Sequence, residues 1–195
     1  MFTLKKTVVF EEEIKKSRFI VNASPVHSTD EAFLFLKSVQ DLQASHNCWA
    51  YRIGLQYRFS DDGEPGGTAG KPILNAIERN DFDQLIIVVT RYFGGTKLGA
   101  GGLIRAYGGS AVKCLQSAPK CEIIPESQFQ IETAFEWIGP IYAMFDKYKV
   151  EKLKETYHEN GILLKIKINL SDQDFFIKNL KDLSSGNIKI NALEE

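Results

Sequence analysis

Long apolar runs are missing from this 195-residue chain. The longest clean one, Leu85-Ile-Ile-Val-Val89, is far short of the ~20 residues that a membrane-spanning helix needs. The opening Met-Phe-Thr-Leu-Lys-Lys has no apolar core or cleavage site behind it, so no secretory leader is read there. Cysteine is scarce: Cys48, Cys114 and Cys121 are odd in number and lack CxxC spacing. That argues against a disulfide framework or a zinc knuckle and points to a reducing, cytoplasmic setting. His27, His46 and His158 are scattered, and no metal or cofactor is expected. Net charge is nearly absent too, at −1 from 24 basic and 25 acidic residues. A globally basic nucleic-acid binder is excluded; a local basic patch is not.

What is present is globular in kind. Apolar residues at 44% and charged residues at 25% match an ordinary folded chain, so disorder is excluded for most of it. The length suits one domain or two small ones, at about 100–200 residues each. Composition shifts along the chain. Twelve of the 15 glycines fall between Gly54 and Gly109, and all six arginines lie before residue 110. Residues 1–119 carry a net charge of +2 (14 basic, 12 acidic) and residues 120–195 a net −3 (10 basic, 13 acidic). Two prolines, Pro119 and Pro125, mark the break, and the expected domains are 1–119 and 120–195.

In the first part, Thr7 to Glu13, Arg18 to Ala23, Cys48 to Leu55, Gln56 to Ser60 and Gln84 to Thr90 read as strands. Helices are expected from Ser28, with a capping box to Glu31, from Thr68 to Arg79, and from Gly102 to Ser117. The second part reads β-α-β-β-α-β. Alternation at Phe129, Ile131, Thr133 and Phe135 and at Ile162, Leu164, Ile166 and Ile168 marks strands. Lys149 to Tyr157 fits either a helix extension or a strand leading to an Asn160-Gly161 turn. That order is the ferredoxin-like pattern, and the fold class expected is α+β.

Two stretches carry chemical information. Ser60 to Pro72 joins a strand to a helix, with Thr68 as the expected cap. Gly66, Gly67 and Gly70 permit close backbone approach, and helix N–H groups with Lys71 suit an anion. It is no Walker A loop, because prolines stand at 65 and 72 where glycine and Ser/Thr belong. The alternative is a tight loop packed on the sheet. Arg91 to Gly109 again follows a strand and opens a helix, without GxGxxG. Arg91, Lys97 and Arg105 suit phosphate, and Tyr92 and Tyr107 offer faces for bases. Phe93 reads as core, and Cys48 as a buried strand cysteine. Asp61, Asp62 and Glu64 fit no calcium loop and read as a solvated acidic turn edging the patch. Arg52 and Arg58 are candidates to flank it, with strand alternation as the alternative that sends them elsewhere. If the two strands that feed these loops are parallel neighbours, both loops open at one end of the sheet.

His46-Asn-Cys-Trp-Ala-Tyr-Arg52, Phe59 to Pro72 and Val89 to Tyr107 together resemble the signature of the YigZ/IMPACT family, over roughly residues 1–119. The remainder resembles the small C-terminal domain of the family's bacterial branch, which is similar to a ferredoxin-like domain of elongation factor G. The resemblance implies an N-terminal domain with the left-handed βαβ fold of a ribosomal protein domain. It also implies a role near translation, which the eukaryotic relatives regulate. It carries no catalytic residue onto this chain. The reading is therefore a cytosolic, non-enzymatic translation-related regulator. Its expected partner is RNA, the ribosome or a translation-related protein, bound through the Gly-rich basic face, with no membrane contact. The alternative is an enzyme acting on a phosphorylated small molecule or an RNA end.

Overall fold

Residues 1–193 are described by a computed structural model in which the apolar run from Leu85 to Val89 lies at the centre of a five-stranded sheet. The chain divides into two units, Met1–Ile123 and Ile124–Glu195. The first unit contains β1 (Phe2–Leu4), β2 (Val8–Ile14), β3 (Ser17–Pro25), α1 (Thr29–Val39), β4 (His46–Ile53) and β5 (Gln56–Ser60). It continues with α2 (Gly70–Arg79), β6 (Leu85–Tyr92), α3 (Ala100–Ser117) and β7 (Lys120–Glu122). β7 pairs with β1, so the unit extends past Pro119 to the residues that close this small ladder.

The large sheet has the order β2-β3-β6-β4-β5, with every adjacent pair antiparallel. Alternation along β6 serves two cores. Leu85, Ile87 and Val89 pack with Ile73, Leu74 and Ile77 of α2 and with Leu103, Ala106 and Tyr107 of α3. Ile86 and Val88 pack on the opposite face with Trp49, Tyr51 and the α1 side chains Ala32 and Phe33. A strand buried on both faces needs a continuous apolar run, which explains why Leu85 to Val89 shows no period. Each fully buried Ile or Leu contributes about 1.5–3 kcal/mol relative to exposure. α1 begins as its sequence indicates: Ser28 Oγ accepts from Glu31 N at 3.2 Å. Glu31 Oε2 accepts from His27 N, one residue earlier than a strict capping box.

β4 is antiparallel to both β5 and β6, so β5 and β6 run in the same direction with β4 between them. They are parallel but not neighbours. The consequence expected of neighbours still follows, because both glycine-rich loops leave the sheet at the same end.

The second unit contains β8 (Glu126–Thr133), a 3-10 turn (Phe135–Trp137), α4 (Ile138–Tyr148), β9 (Glu151–His158), β10 (Gly161–Asn169), α5 (Gln173–Ser184) and β11 (Lys189–Leu193). Its sheet order β11-β8-β10-β9 is antiparallel throughout, the ferredoxin-like arrangement within an α+β chain. Phe129, Ile131, Ile162, Leu164 and Ile166 form its core with Ile141 and Phe145 of α4 and Phe176 and Leu180 of α5. The ambiguous segment after Lys149 is a strand, not a helix extension. Its hairpin turns one residue earlier than expected, with His158 paired to Gly161.

Candidate functional site

The two loops finish differently. In the first, Asp61 turns its carboxylate onto the start of α2. Oδ1 accepts from Ala69 N at 2.9 Å and Gly70 N at 2.8 Å, and Oδ2 accepts from Gly67 N at 2.8 Å. The anion expected at this helix start is therefore the chain's own carboxylate, and the site proposed around Gly66, Gly67 and Lys71 is filled. Thr68 does not cap the helix; its hydroxyl donates to Pro65 O at 2.6 Å. Lys71 is exposed, with its Nζ 5.8 Å from the Phe59 ring centre.

Glu64 corrects the acidic-turn reading. It is 9% exposed and central to a polar cluster. Its Oε1 accepts from Arg91 Nη1 at 2.5 Å and from Tyr107 Oη at 2.7 Å, and His46 Nε2 lies 3.8 Å away. Arg91 is 4% exposed and forms a buried ion pair, not the surface contact expected. Tyr107 is 0% exposed, with its ring edge-on to Phe19, so it cannot stack a base. Burial pushes its hydroxyl above the ordinary phenol range. Cys48 lies in the same core and donates its thiol to Asp61 O at 3.0 Å. Burial raises that thiol to about 12, which leaves it protonated and a poor nucleophile.

His46, Glu64, Pro65, Arg91, Phe93, Lys97, Leu98, Gly99, Ala100 and Leu103 line a cleft of about 330 Å³ beside the start of α3. Phe93 is 50% exposed on its rim, not in the core. His46 Nδ1 lies 2.7 Å from Asp62 O. A carbonyl at that nitrogen calls for the proton there, so Nδ1 donates and Nε2 faces Glu64. α3 begins at Gly99 with no side-chain cap. Leu98 also lines a shallower groove of about 170 Å³ with Lys15, Gly102 and Arg105. Gly94 brings the β2–β3 turn into this region: a Cβ there would sit 1.7 Å from Lys16 O. A larger groove, about 370 Å³, runs between α2 and α3 past Pro72, Arg79, Ile104 and Gly108. It contains no buried charge or unpartnered polar atom, so the smaller cleft is the better site.

The cleft thus brings together Arg91 and Lys97, with Tyr107 supporting them from below and Arg105 across Leu98. Other expected residues lie elsewhere. Tyr92 follows Arg91 on the strand and faces the α1 side, where its hydroxyl donates to Asp41; that bond raises the phenol and lowers the carboxyl. Arg58 also faces that side, 5.8 Å from the Phe33 ring centre. Arg52 pairs with Leu85 at the far end of β4 from His46, about 20 Å away at strand rise. His46, Glu64 and Lys15 were missed. The readable signal for Glu64 was its place in a loop also carrying Asp61, but which carboxylate turns inward depends on the backbone path.

The Impact N-terminal domain family model matches residues 15–115, which include the cleft. An "IMPACT family member in pol 5'region" from Thermus thermophilus is 40% identical over 176 residues, covering 90% of this chain and 97% of that protein. "IMPACT family member YigZ" from Escherichia coli is 33% identical and covers 96% of this chain and 95% of its own length. The crystal structure of a hypothetical protein, 32% identical, matches 100% of this chain and 97% of that one with a TM-score of 0.77. A fold shared along the whole length, and sequence identity that runs through both units, place this chain in the IMPACT family, among its YigZ-like members.

Proposed function

We propose that the chain is a cytosolic, non-enzymatic regulator of translation that binds RNA, free or within the ribosome, through the basic surface around the start of α3. The observation that carries the reading is an uncapped helix N-terminus with Lys15, Lys97 and Arg105 around it. Helix N–H groups and flexible cations suit phosphate oxygens. Phe93, half exposed on the rim, offers a ring for a base. The link to translation rests on the resemblance to the eukaryotic IMPACT proteins. Tyr107 serves this surface from beneath, holding Glu64, and does not contact the strand directly.

RNA binding measured over a range of salt tests the reading. Lys15→Ala, Lys97→Ala and Arg105→Ala combined should weaken binding and lower the log–log salt slope by about one per lost phosphate contact. All three side chains are exposed, so the melting curve should stay near that of the parent. Unchanged binding by a stable triple variant transfers the surface to a protein partner.

One observation favours an enzyme as the second reading. Both hydrogen bonds to Glu64 fall on Oε1, the oxygen that His46 Nε2 approaches at 3.8 Å, and Oε2 receives none from the described residues. A carboxylate so held suits a general base for water. Phosphate release from phosphorylated RNA ends or nucleotides, abolished in Glu64→Gln, is its test.

A further inference from the structure

We infer that the cleft beside α3 binds a terminal phosphate, a phosphomonoester, and not the running phosphodiester backbone of a strand. This deepens the RNA reading of the same surface and rests on it for the biological source of the ligand.

The first support is the helix start. α3 is 18 residues long, and its first intrahelical bond runs from Leu103 N to Gly99 O. The N–H groups of Ala100, Gly101 and Gly102 precede that bond and have no side-chain acceptor among the described residues. Gly99 reaches the helix at φ +73°, a conformation that a capping Ser or Asp rarely adopts. The helix end carries about half a positive charge, concentrated on those N–H groups.

The second support is independent of the helix. Arg91 lines the same cleft, is 96% buried and has an Nε with no acceptor. Its Nη1 is taken by Glu64 and its Nη2 by Ser17 Oγ at 3.3 Å. A buried guanidinium N–H without a partner is rare in native proteins and costly. A bound anion that draws the guanidinium towards the cleft satisfies it.

Charge selects the monoester. Arg91 and Glu64 cancel, so the field in the cleft comes from Lys97 and the helix end. Lys97 forms no ion pair among the described residues. That surplus matches a dianion better than a singly charged diester. At about 330 Å³ the cleft is at the lower end of ligand-pocket sizes, with Leu98, Leu103 and Pro65 as apolar walls. A tetrahedral phosphate and the start of its substituent fit in such a space, with Phe93 at the rim.

The test uses the full chain with four probes: inorganic phosphate, a nucleoside 5′-monophosphate, and one RNA oligonucleotide with a 5′-phosphate or a 5′-hydroxyl. The phosphorylated RNA should bind about tenfold more tightly than its hydroxyl form. Inorganic phosphate and the mononucleotide should shift the backbone amide resonances of Ala100, Gly101 and Gly102. Lys97→Ala should erase the tenfold preference without changing the fold, since this side chain is exposed. Gly101→Asp should do the same by placing a carboxylate beside the free N–H groups; a Cβ there has only Arg105 Nη1 near, at 3.6 Å. Equal affinity for both oligonucleotides, with silent amides, overturns the inference and leaves RNA binding standing. Mononucleotide binding with shifted amides and no RNA affinity upholds the inference, names a free nucleotide as the source and overturns the RNA reading.

Discussion

Ser60–Pro72 and Arg91–Gly109 are both glycine-rich, both leave strands that run the same way, and both enter a long helix. In the first, Asp61 turns back and takes the N–H groups at the start of α2. In the second, Gly99 stands where a cap would be, and Lys97 and Ala100 border an open cleft. One loop has an internal anion and is structural; the other leaves N–H groups of the same kind uncapped among the described residues. The difference teaches that glycine content and a helix start do not make a binding site. The site depends on whether the chain supplies its own carboxylate. Glu64, from the closed loop, crosses to Arg91 under the open one, so the first loop also builds the floor of the second.

Breaking that shared floor should have the largest effect. Glu64→Ala leaves Arg91 buried and unpaired, and chemical denaturation should show a loss of about 3–5 kcal/mol. A loss under about 1 kcal/mol, the scale of an exposed pair, would mean that the ion pair is not buried in solution.

Opening the closed loop comes next. Asp61→Ala should destabilise by about 2 kcal/mol through loss of the α2 cap. Added sulfate should recover part of that loss by occupying the freed N–H groups, and sulfate that stabilises parent and variant equally would refute the capping role. Closing the open loop should act in the opposite direction. Gly101→Asp should raise stability by about 1 kcal/mol in urea unfolding, because it removes a helical glycine and complements the helix dipole.

Thiol labelling reads the same comparison through reactivity. Burial raises Cys48 to about 12 and Cys114 to about 11. Both thiols are therefore protonated at neutral pH, and each becomes reactive only as pH rises towards its own value. An alkylating reagent at neutral pH should modify the half-buried Cys121 first. Asp61→Ala should speed modification of Cys48, because it removes one of the carboxylate charges that raise this thiol and loosens the loop that covers it. The smallest expected change concerns neither loop. Proteolysis between Ile123 and Pro125, past the β1–β7 ladder, should release two stable fragments, and the N-terminal one should retain its cleft and its melting temperature.

Much of the fold was legible. β6, β8 and β10 announced themselves through apolar runs or alternation, and α1 through Ser28 and Glu31. These signals are local, because a strand or helix exposes its period to anyone counting along the chain. β1 and β7 were not legible: each has three residues, and each is a strand only because the other pairs with it. The candidate site was half legible. Lys97 and Arg91 were found, but Arg91 was assigned to the surface. Its burial follows from Glu64, a residue 27 positions away in sequence. Tyr92 and Arg58 were drawn into the site by composition, and strand alternation sent them to the opposite face.

The sequence alone determined which segments are apolar, where the charge balance changes, and that two glycine-rich strand-to-helix loops exist. Each of these depends on neighbours along the chain. Only tertiary structure decided that β5 and β6 run in the same direction through an intervening β4, which places both loops at one end of the sheet. It also decided that Asp61 fills one helix start while the other has no cap, and that Glu64 meets Arg91 and Tyr107. The physical reason is that hydrogen bonds and ion pairs act over a few ångströms in space, whatever the separation in sequence. The chemistry of a carboxylate is therefore set by what the fold brings against it.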